Sequence, residues 1–179
     1  MNADSLLIEV ENTFPPIDKP KGLDLSFHKD DCPHCEYLRQ DLEVFEGREL
    51  PPQALREIYS EMSCLSAAGW RWALPSYLKH CLKVPLAVAL HYNDGETEFL
   101  IYNLGPKEEH QAETIERLSL LNQSQIDCLI HFLEWCSVHE HWSNYCAEDI
   151  QRALAFMHTV QPNPTLKRDA PSARPLAAR

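Results

Sequence analysis

Apolar residues recur at helical spacing along most of this chain of 179 residues. The clearest stripe has members three or four positions apart: Ile126, Leu129, Ile130, Leu133 and Cys136. Such a repeat places side chains on one face of an α-helix. Asn122 and Gln125 stand just ahead of the stripe at the spacing of a capping box, which marks a helix start. The pattern therefore predicts a central amphipathic helix that begins near residue 123.

Weaker stripes bounded by proline or glycine predict further helices. Pro33 suits the first position of one of them, because its missing N–H is not needed there. Gly47 is expected to end that helix. The predicted helices cover residues 4–14, 33–47, 52–65, 76–83, 115–121 and 143–160, with loops at 15–31 and 107–113. We therefore predict a mainly α protein with a single compact multi-helix domain over residues 1–160.

Residues 84–103 fit two structures. Pro85 opens an apolar run that Asn93-Asp94-Gly95 follows, and this order is a β-hairpin signal. Equally, Pro85 can begin one helix, while Glu96 suits the first turn of another helix that ends before Gly105. The helical neighbours favour two helices, and a short hairpin at about 84–103 is the alternative.

The last residues differ from the rest of the chain. Residues 161–179 contain four prolines and no periodic apolar face. Four basic residues against one acidic residue give this segment a net charge of +3. A segment of this composition cannot bury enough apolar surface to fold. The sequence therefore predicts a disordered tail that contains proline and arginine.

The net charge of the whole chain is −11. Such a surface disfavours nucleic acid and anionic lipid as partners and suits a basic protein partner. The sequence shows no apolar run of membrane-spanning length, and its start lacks the basic region of a secretory signal. We therefore expect a cytoplasmic protein that binds a protein partner, and neither nucleic acid nor a membrane. Its seven cysteines are odd in number and scattered, which predicts mostly reduced thiols.

Reactive side chains are concentrated in one stretch. His28, Cys32 and Cys35 have the spacing His-x3-Cys-x2-Cys, and thiolates with an imidazole suit Zn²⁺. We therefore predict a zinc site at these three residues. A closed structural site needs a fourth ligand, and the candidates distant in sequence are His80, Cys64, His139 and His141.

The same stretch has two other interpretations. Cys35 lies on an apolar stripe and can be a small buried residue, while Cys32 starts a helix that Asp30 or Asp31 would cap. Alternatively, Cys32-Pro33-His34-Cys35 is similar to the active site of thiol oxidants of the thioredoxin superfamily. A cysteine at a helix N-terminus has a lowered pKa, as that chemistry requires. However, that fold places a buried strand before the motif, and here a charged segment precedes it.

The remaining candidates have simpler interpretations. Trp70-Arg71-Trp72 is either an exposed contact patch or part of the core, and the core is favoured. Three further cysteines lie on apolar stripes and are predicted to be core residues: Cys81, Cys136 and Cys146. The chain carries no Gly-x-Ser-x-Gly, His-Glu-x-x-His or Walker sequence, so we assign no catalytic and no cofactor-binding residue.

Several short motifs come in an order similar to that of a family of small bacterial proteins known only as a domain of unknown function. They are Cys32-Pro33-His34-Cys35, Leu74-Pro75-Ser76-Tyr77-Leu78, Leu121-Asn122-Gln123-Ser124-Gln125-Ile126 and Phe132-Leu133. The resemblance covers roughly residues 5–158. It implies a bacterial, mainly helical, cytosolic protein, and it carries no activity and no catalytic residue.

These observations lead to one expected function and one alternative. We expect a non-enzymatic, acidic interaction module of the immunity or adaptor type, with Zn²⁺ at the cysteine pair as a stabilising ion. The alternative is a thiol–disulfide oxidoreductase that uses Cys32 and Cys35.

Overall fold

A computed structural model describes residues 2–29, 31–83 and 95–162 of the protein. Helices form nearly all the regular structure of these residues. The α-helices are α1 (Ala3–Thr13), α2 (Pro33–Asp41), α3 (Pro52–Ile58), α4 (Ala67–Lys83), α5 (Gly95–Leu104), α6 (Gln111–Leu118), α7 (Gln123–Val138), α8 (Trp142–Tyr145) and α9 (Ala147–Met157). Three 3₁₀ segments join them: η1 (Gly22–Asp24), η2 (Tyr59–Cys64) and η3 (Glu108–His110). The prediction of a mainly α single domain is confirmed.

The predicted helix starts follow from local hydrogen bonding. Asn122 caps α7: its side chain accepts from the Gln125 N–H at 3.0 Å, and the Gln125 side chain accepts from the Asn122 N–H at 3.0 Å. This reciprocal pair is the predicted capping box. Pro33 occupies the start of α2 as predicted, and the side chain of Asn2 caps α1.

Helix α2 is shorter than predicted, because it ends at Asp41 and not at Gly47. After Asp41 the chain tightens into turns, in which each N–H bonds a carbonyl three residues back. The Lys19 ammonium donates to the carbonyl oxygens of Leu42 and Phe45, which would otherwise lack partners at a helix end. Gly47 lies in the left-handed region with φ 110°, where the chain turns towards α3.

Helix α4 is longer than predicted. It begins at Ala67 and continues through Pro75, whereas the proline was expected to precede a helix starting at residue 76. A proline inside a helix removes one backbone hydrogen bond. Here most of the helix from Gly69 to Leu82 is buried, and that packing outweighs the lost bond. The hydroxyl of Ser66 accepts from the Gly69 N–H at 3.1 Å and marks the true start.

Two other boundaries differ from the prediction. The final helix is split at Cys146 into α8 and α9. Helix α6 begins at Gln111, within the loop predicted at 107–113. The alternative hairpin at about 84–103 is wrong over its second half, because Gly95–Leu104 is helical. Residues 84–94 and the predicted disordered tail after residue 162 lie outside the described residues.

The core is built around α4 and α7. Helix α1 packs on both of them, α9 packs on α7 and α5, and both α2 and α5 pack on η2. The bulkiest fully buried side chains are Trp70, Trp72, Tyr77 and Phe132. Trp70 and Trp72 are 0% and 1% exposed, so the contact-patch alternative is wrong and the core interpretation is confirmed. Cys81, Cys136 and Cys146 are buried as predicted.

Within the described part of the chain, no helix combines the length and the apolar character needed to cross a membrane.

Candidate metal centre

The structure brings together the three residues that the sequence singled out. His28, Cys32 and Cys35 each offer one ligand atom, and these atoms all lie within 4.8 Å of one another. Cys35 Sγ and His28 Nδ1 lie 3.6 Å apart. Cys35 is buried, Cys32 is half-buried and His28 is exposed. The cluster is therefore anchored in the core and open to solvent on the histidine side.

Helix α2 positions the two cysteines. Cys32 is the residue before the first helical turn, and Cys35 lies within that turn on the face that also buries Leu38. Cys32 itself occupies the N-cap position of α2, which differs from the predicted capping by Asp31, and Asp30 lies outside the described residues. Asp31 has φ 65°, a left-handed conformation that aspartate tolerates better than most residues. This turn lies in the chain between His28 and Cys32.

Two backbone contacts hold the histidine side of the cluster. Ser26 forms an isolated antiparallel bridge with Leu65, and the Phe27 N–H donates to the Cys64 carbonyl at 2.8 Å. The chain therefore passes along the end of η2 immediately before it reaches His28.

The two thiols of the pair are in different electrostatic environments. Hydrogen bonds from the backbone N–H and the thiol of Cys35 lower the pKa of Cys32. Burial raises the pKa of Cys35, although the backbone of His28 opposes this shift. Cys32 therefore ionises first. N–H groups directed at sulfur stabilise thiolates, which are the forms that bind metal.

Cys64, one of the four candidates for a further ligand, lies beside this cluster. The Cys35 thiol donates to the Cys64 carbonyl at 3.8 Å. Burial, followed by the neighbouring Cys35, raises the pKa of the Cys64 thiol to about 12. Cys64 ends η2, the segment on which α2 packs.

The other three candidates lie in different surroundings. His80 Nε2 lies 3.9 Å from a carboxylate oxygen of Glu96. His139 and His141 both pack against Trp142 at the junction of α7 and α8. The structure therefore favours Cys64 over these histidines as a neighbour of the predicted site.

The donor set fits zinc. Sulfur and imidazole ligands in a partly buried, thiol-rich site are typical of structural Zn²⁺, and zinc does not require a particular ligand-field geometry. A closely spaced pair of one accessible and one buried cysteine is also the arrangement of a dithiol that can form a disulfide. The arrangement can therefore hold a metal ion or undergo dithiol chemistry.

A groove of about 700 Å³ runs along the outer side of α2. Its charged lining consists of four acidic residues, Asp18, Glu36, Glu43 and Glu46, and three basic residues, Lys19, Lys21 and Arg39. Arg39 donates to the Ser26 hydroxyl at 2.6 Å, and Lys19 is bound to backbone carbonyls. The sequence analysis missed this groove, because its walls come from two separate stretches with no common motif.

Comparison with protein-family models gives one match. A family described as a family of unknown function (DUF6714) matches residues 38–159, which is more than half of the chain. The chain belongs to this family. The DUF6714 match confirms the resemblance to a family of unknown function that the sequence motifs indicated. It begins just after Cys35, so Cys64 lies within the DUF6714 region and the cysteine pair precedes it. No curated protein and no solved structure matches the chain.

Proposed function

We propose that this chain is a non-enzymatic interaction protein whose N-terminal half is stabilised by a structural Zn²⁺ ion. His28, Cys32 and Cys35 bind the ion. The observation that carries this proposal is the convergence of their ligand atoms to within 4.8 Å of one another.

A structural role fits the position of the cluster. The ion would join the loop after α1 to the first turn of α2, in addition to the bonds that Lys19 and Arg39 already make between these segments. Small elements that cannot bury much apolar surface gain stability from such a link, because metal binding then contributes directly to folding.

The interaction role rests on charge and shape. The chain has a net charge of −11, and the groove beside α2 carries Glu43 and Glu46 on its rim. Of its three basic residues, Lys19 and Arg39 are bound to protein oxygens, so Lys21 is the third cation beside the four acidic residues of the lining. A basic protein segment is the partner that this groove suits, as in an immunity or adaptor protein.

Metal analysis tests the zinc proposal. The full chain, purified without chelator, is expected to contain one Zn²⁺ per molecule by elemental analysis. Cys35→Ala should lose the metal. Cys128→Ala is the matched control, since it removes a sulfur that is equally buried elsewhere in the core, and it should keep the metal. A wild-type protein that neither contains nor takes up zinc contradicts the proposal.

Affinity capture from the native host tests the interaction role. A specific partner should bind the wild type, lose affinity as salt rises, and bind the double variant E43K/E46K weakly. E108K/E109K is the matched control, because it reverses the same number of charges on the exposed segment η3. Equal binding by both double variants would place the interaction elsewhere, and the absence of any partner at native expression would contradict it.

A second candidate function is thiol–disulfide exchange, and it is favoured by the asymmetry of the pair. Cys32 is the more accessible thiol and has the lowered pKa, while Cys35 is buried behind it. This is the order that an attacking and a resolving thiol require. Alkylation rates of metal-free protein measured against pH test the candidate. An ordinary thiol pKa at Cys32 removes it.

A further inference from the structure

We infer that Cys64 is the fourth ligand of the metal ion, so that the centre is a closed site of three thiolates and one imidazole. This inference rests on the proposed zinc site at His28, Cys32 and Cys35 and extends it to a distant part of the chain. The ion would then tie α2 and the loop before it to η2.

The backbone brings Cys64 to the cluster without any contribution from the metal. The antiparallel bridge from Ser26 to Leu65 and the bond from the Phe27 N–H to the Cys64 carbonyl set the register of the two segments. In that register Phe27 lies opposite Cys64, and His28 is the next residue along the chain. The packing of α2 on η2 brings Cys35 to the same place.

Cys35 contacts Cys64 directly. The Cys35 thiol donates to the Cys64 carbonyl at 3.8 Å, and the two thiols are close enough to influence each other's pKa. In a tetrahedral zinc site with Zn–S bonds of about 2.3 Å, ligand atoms lie about 3.5–3.8 Å apart. The 3.6 Å between Cys35 Sγ and His28 Nδ1 already has this value. Cys64 is outside the set of three residues whose ligand atoms lie within 4.8 Å of one another, so its thiol would have to move towards them when an ion binds.

The chemistry of the surroundings favours a thiolate as the fourth ligand. Glu61 is the other anionic side chain close to Cys64, since it contributes to the pKa shift of that thiol. Structural zinc sites use four cysteines, or two or three cysteines together with histidine. A cysteine is therefore a more typical fourth ligand here than a carboxylate. A site of three cysteines and one histidine has no open position for water, which agrees with a structural role and not with metal catalysis.

Cobalt substitution of the full chain tests the inference. Co²⁺ in a tetrahedral thiolate site gives a sulfur-to-metal charge-transfer band whose intensity increases with the number of bound thiolates. We expect Cys64→Ala to lower this band by about one third, because two thiolates remain of three. Metal affinity should fall by more than roughly 10–100-fold, which is the usual loss when a residue that only supports a ligand is removed. Cys146→Ala removes a buried thiol elsewhere in the fold and should change neither value. Glu61→Gln should also leave the band unchanged.

The possible outcomes separate this inference from the zinc proposal. If the wild type binds Co²⁺ and Cys64→Ala gives the same band and affinity, Cys64 is not a ligand and the proposed site of three residues stands. If the wild type binds no Co²⁺ or Zn²⁺, both proposals fail. If Glu61→Gln alone weakens binding, the fourth ligand is the carboxylate and the inference is wrong.

A measurement on unaltered protein covers the case in which Cys64→Ala does not fold. Zinc-loaded and chelator-treated wild type are alkylated, and the modified cysteines are located by peptide mass spectrometry. Zinc should protect Cys32, Cys35 and Cys64 together, and the chelator should remove the protection from all three. Protection of Cys32 and Cys35 with no change at Cys64 would overturn the inference.

Discussion

Glu61 is a side chain whose charged form is destabilised by its surroundings in the folded protein. Its Oε2 atom is buried and has no hydrogen-bond partner among the described residues. Burial raises the pKa of Glu61, the nearby Asp41 raises it further, and His34 lowers it. A carboxyl group in such a place is destabilising when it is charged.

This environment predicts a pH-dependent effect of Glu61→Gln. An acid whose pKa is raised by folding binds more protons in the folded state, so the unfolding free energy falls as pH rises above the ordinary value of 4.5. The substitution removes that charge. At pH 7 we expect it to stabilise the protein by more than the ~0.5 kcal/mol typical of surface changes.

Urea unfolding at several pH values checks this prediction. The advantage of Glu61→Gln should shrink as pH falls through the raised pKa towards 4.5, because the wild-type carboxyl then becomes neutral too. Glu11→Gln, at an exposed position of α1, is the control and should show no such trend. Destabilisation by Glu61→Gln at pH 7 would mean that the carboxylate has a favourable partner.

At the scale of elements, the short segment η2 connects the candidate metal centre to the core. Helices α2 and α5 both pack on it, and the indole N–H of Trp70 donates to the Met62 carbonyl at 3.1 Å. A 3₁₀ segment of this length has little stability of its own. Its conformation, and therefore the position of Cys64, depends on these neighbours.

Trp70→Phe tests this dependence. The substitution removes the bond to η2 and keeps most of the buried ring. The Met62 carbonyl keeps its bond from the Leu65 N–H at 3.2 Å, so we expect a loss of about 0.5–1.5 kcal/mol for the one hydrogen bond removed. Zinc affinity should fall as well, because η2, which carries Cys64, loses a hydrogen bond that fixes its position. Calorimetry with and without zinc measures both effects. Trp72→Phe, whose indole bonds the Gly47 carbonyl instead, should lower stability with little effect on zinc affinity.

The capping box of α7 provides a second prediction at this scale. Asn122→Ala removes the acceptor for the Gln125 N–H, and an N-cap substitution of this kind costs about 1 kcal/mol. Chemical denaturation monitored by circular dichroism measures it. Gln123→Ala removes only a surface bond to Asp127 and should cost about 0.2–0.5 kcal/mol. Equal losses in the two variants would mean that the box does not stabilise the helix.

At the scale of the whole molecule, a bound metal ion should raise the unfolding free energy by an amount that grows with the logarithm of its affinity. Zinc at 100 times its dissociation constant adds about 2.7 kcal/mol to the unfolding free energy, which raises Tm by about 5–10 °C in a chain of this size. Removal with a chelator should reverse the gain. The effect should weaken as pH falls, because the ligand thiols bind zinc as thiolates and protons compete with the metal for them.

Differential scanning fluorimetry with zinc, with chelator, and with magnesium as the control ion checks this prediction. Cys35→Ala should show no zinc-dependent rise. An identical Tm for the zinc-loaded and metal-free wild type would show that the ion, if it binds, does not stabilise the fold.

The helices illustrate what could be predicted from the sequence and where prediction ended. The starts of α2 and α7 were correct, because proline and capping residues act within one turn. The end of α2 was wrong, because Lys19, distant in the sequence, supplies the donor that holds the turns after Asp41. The start of α4 was also wrong, since burial of Trp70 and its neighbours outweighed the local effect of Pro75.

The same division holds for the candidate metal centre. Periodicity, caps and ligand spacing are local, so the sequence by itself determined the mainly α fold and the set His28, Cys32 and Cys35. It offered four distant residues as a fourth ligand with no means of choosing among them. Only the tertiary structure placed Cys64 beside Cys35, because their proximity arises from the pairing of residues 26–27 with 64–65 and from the packing of α2 on η2. Contacts between segments so far apart in sequence depend on the path of the whole chain.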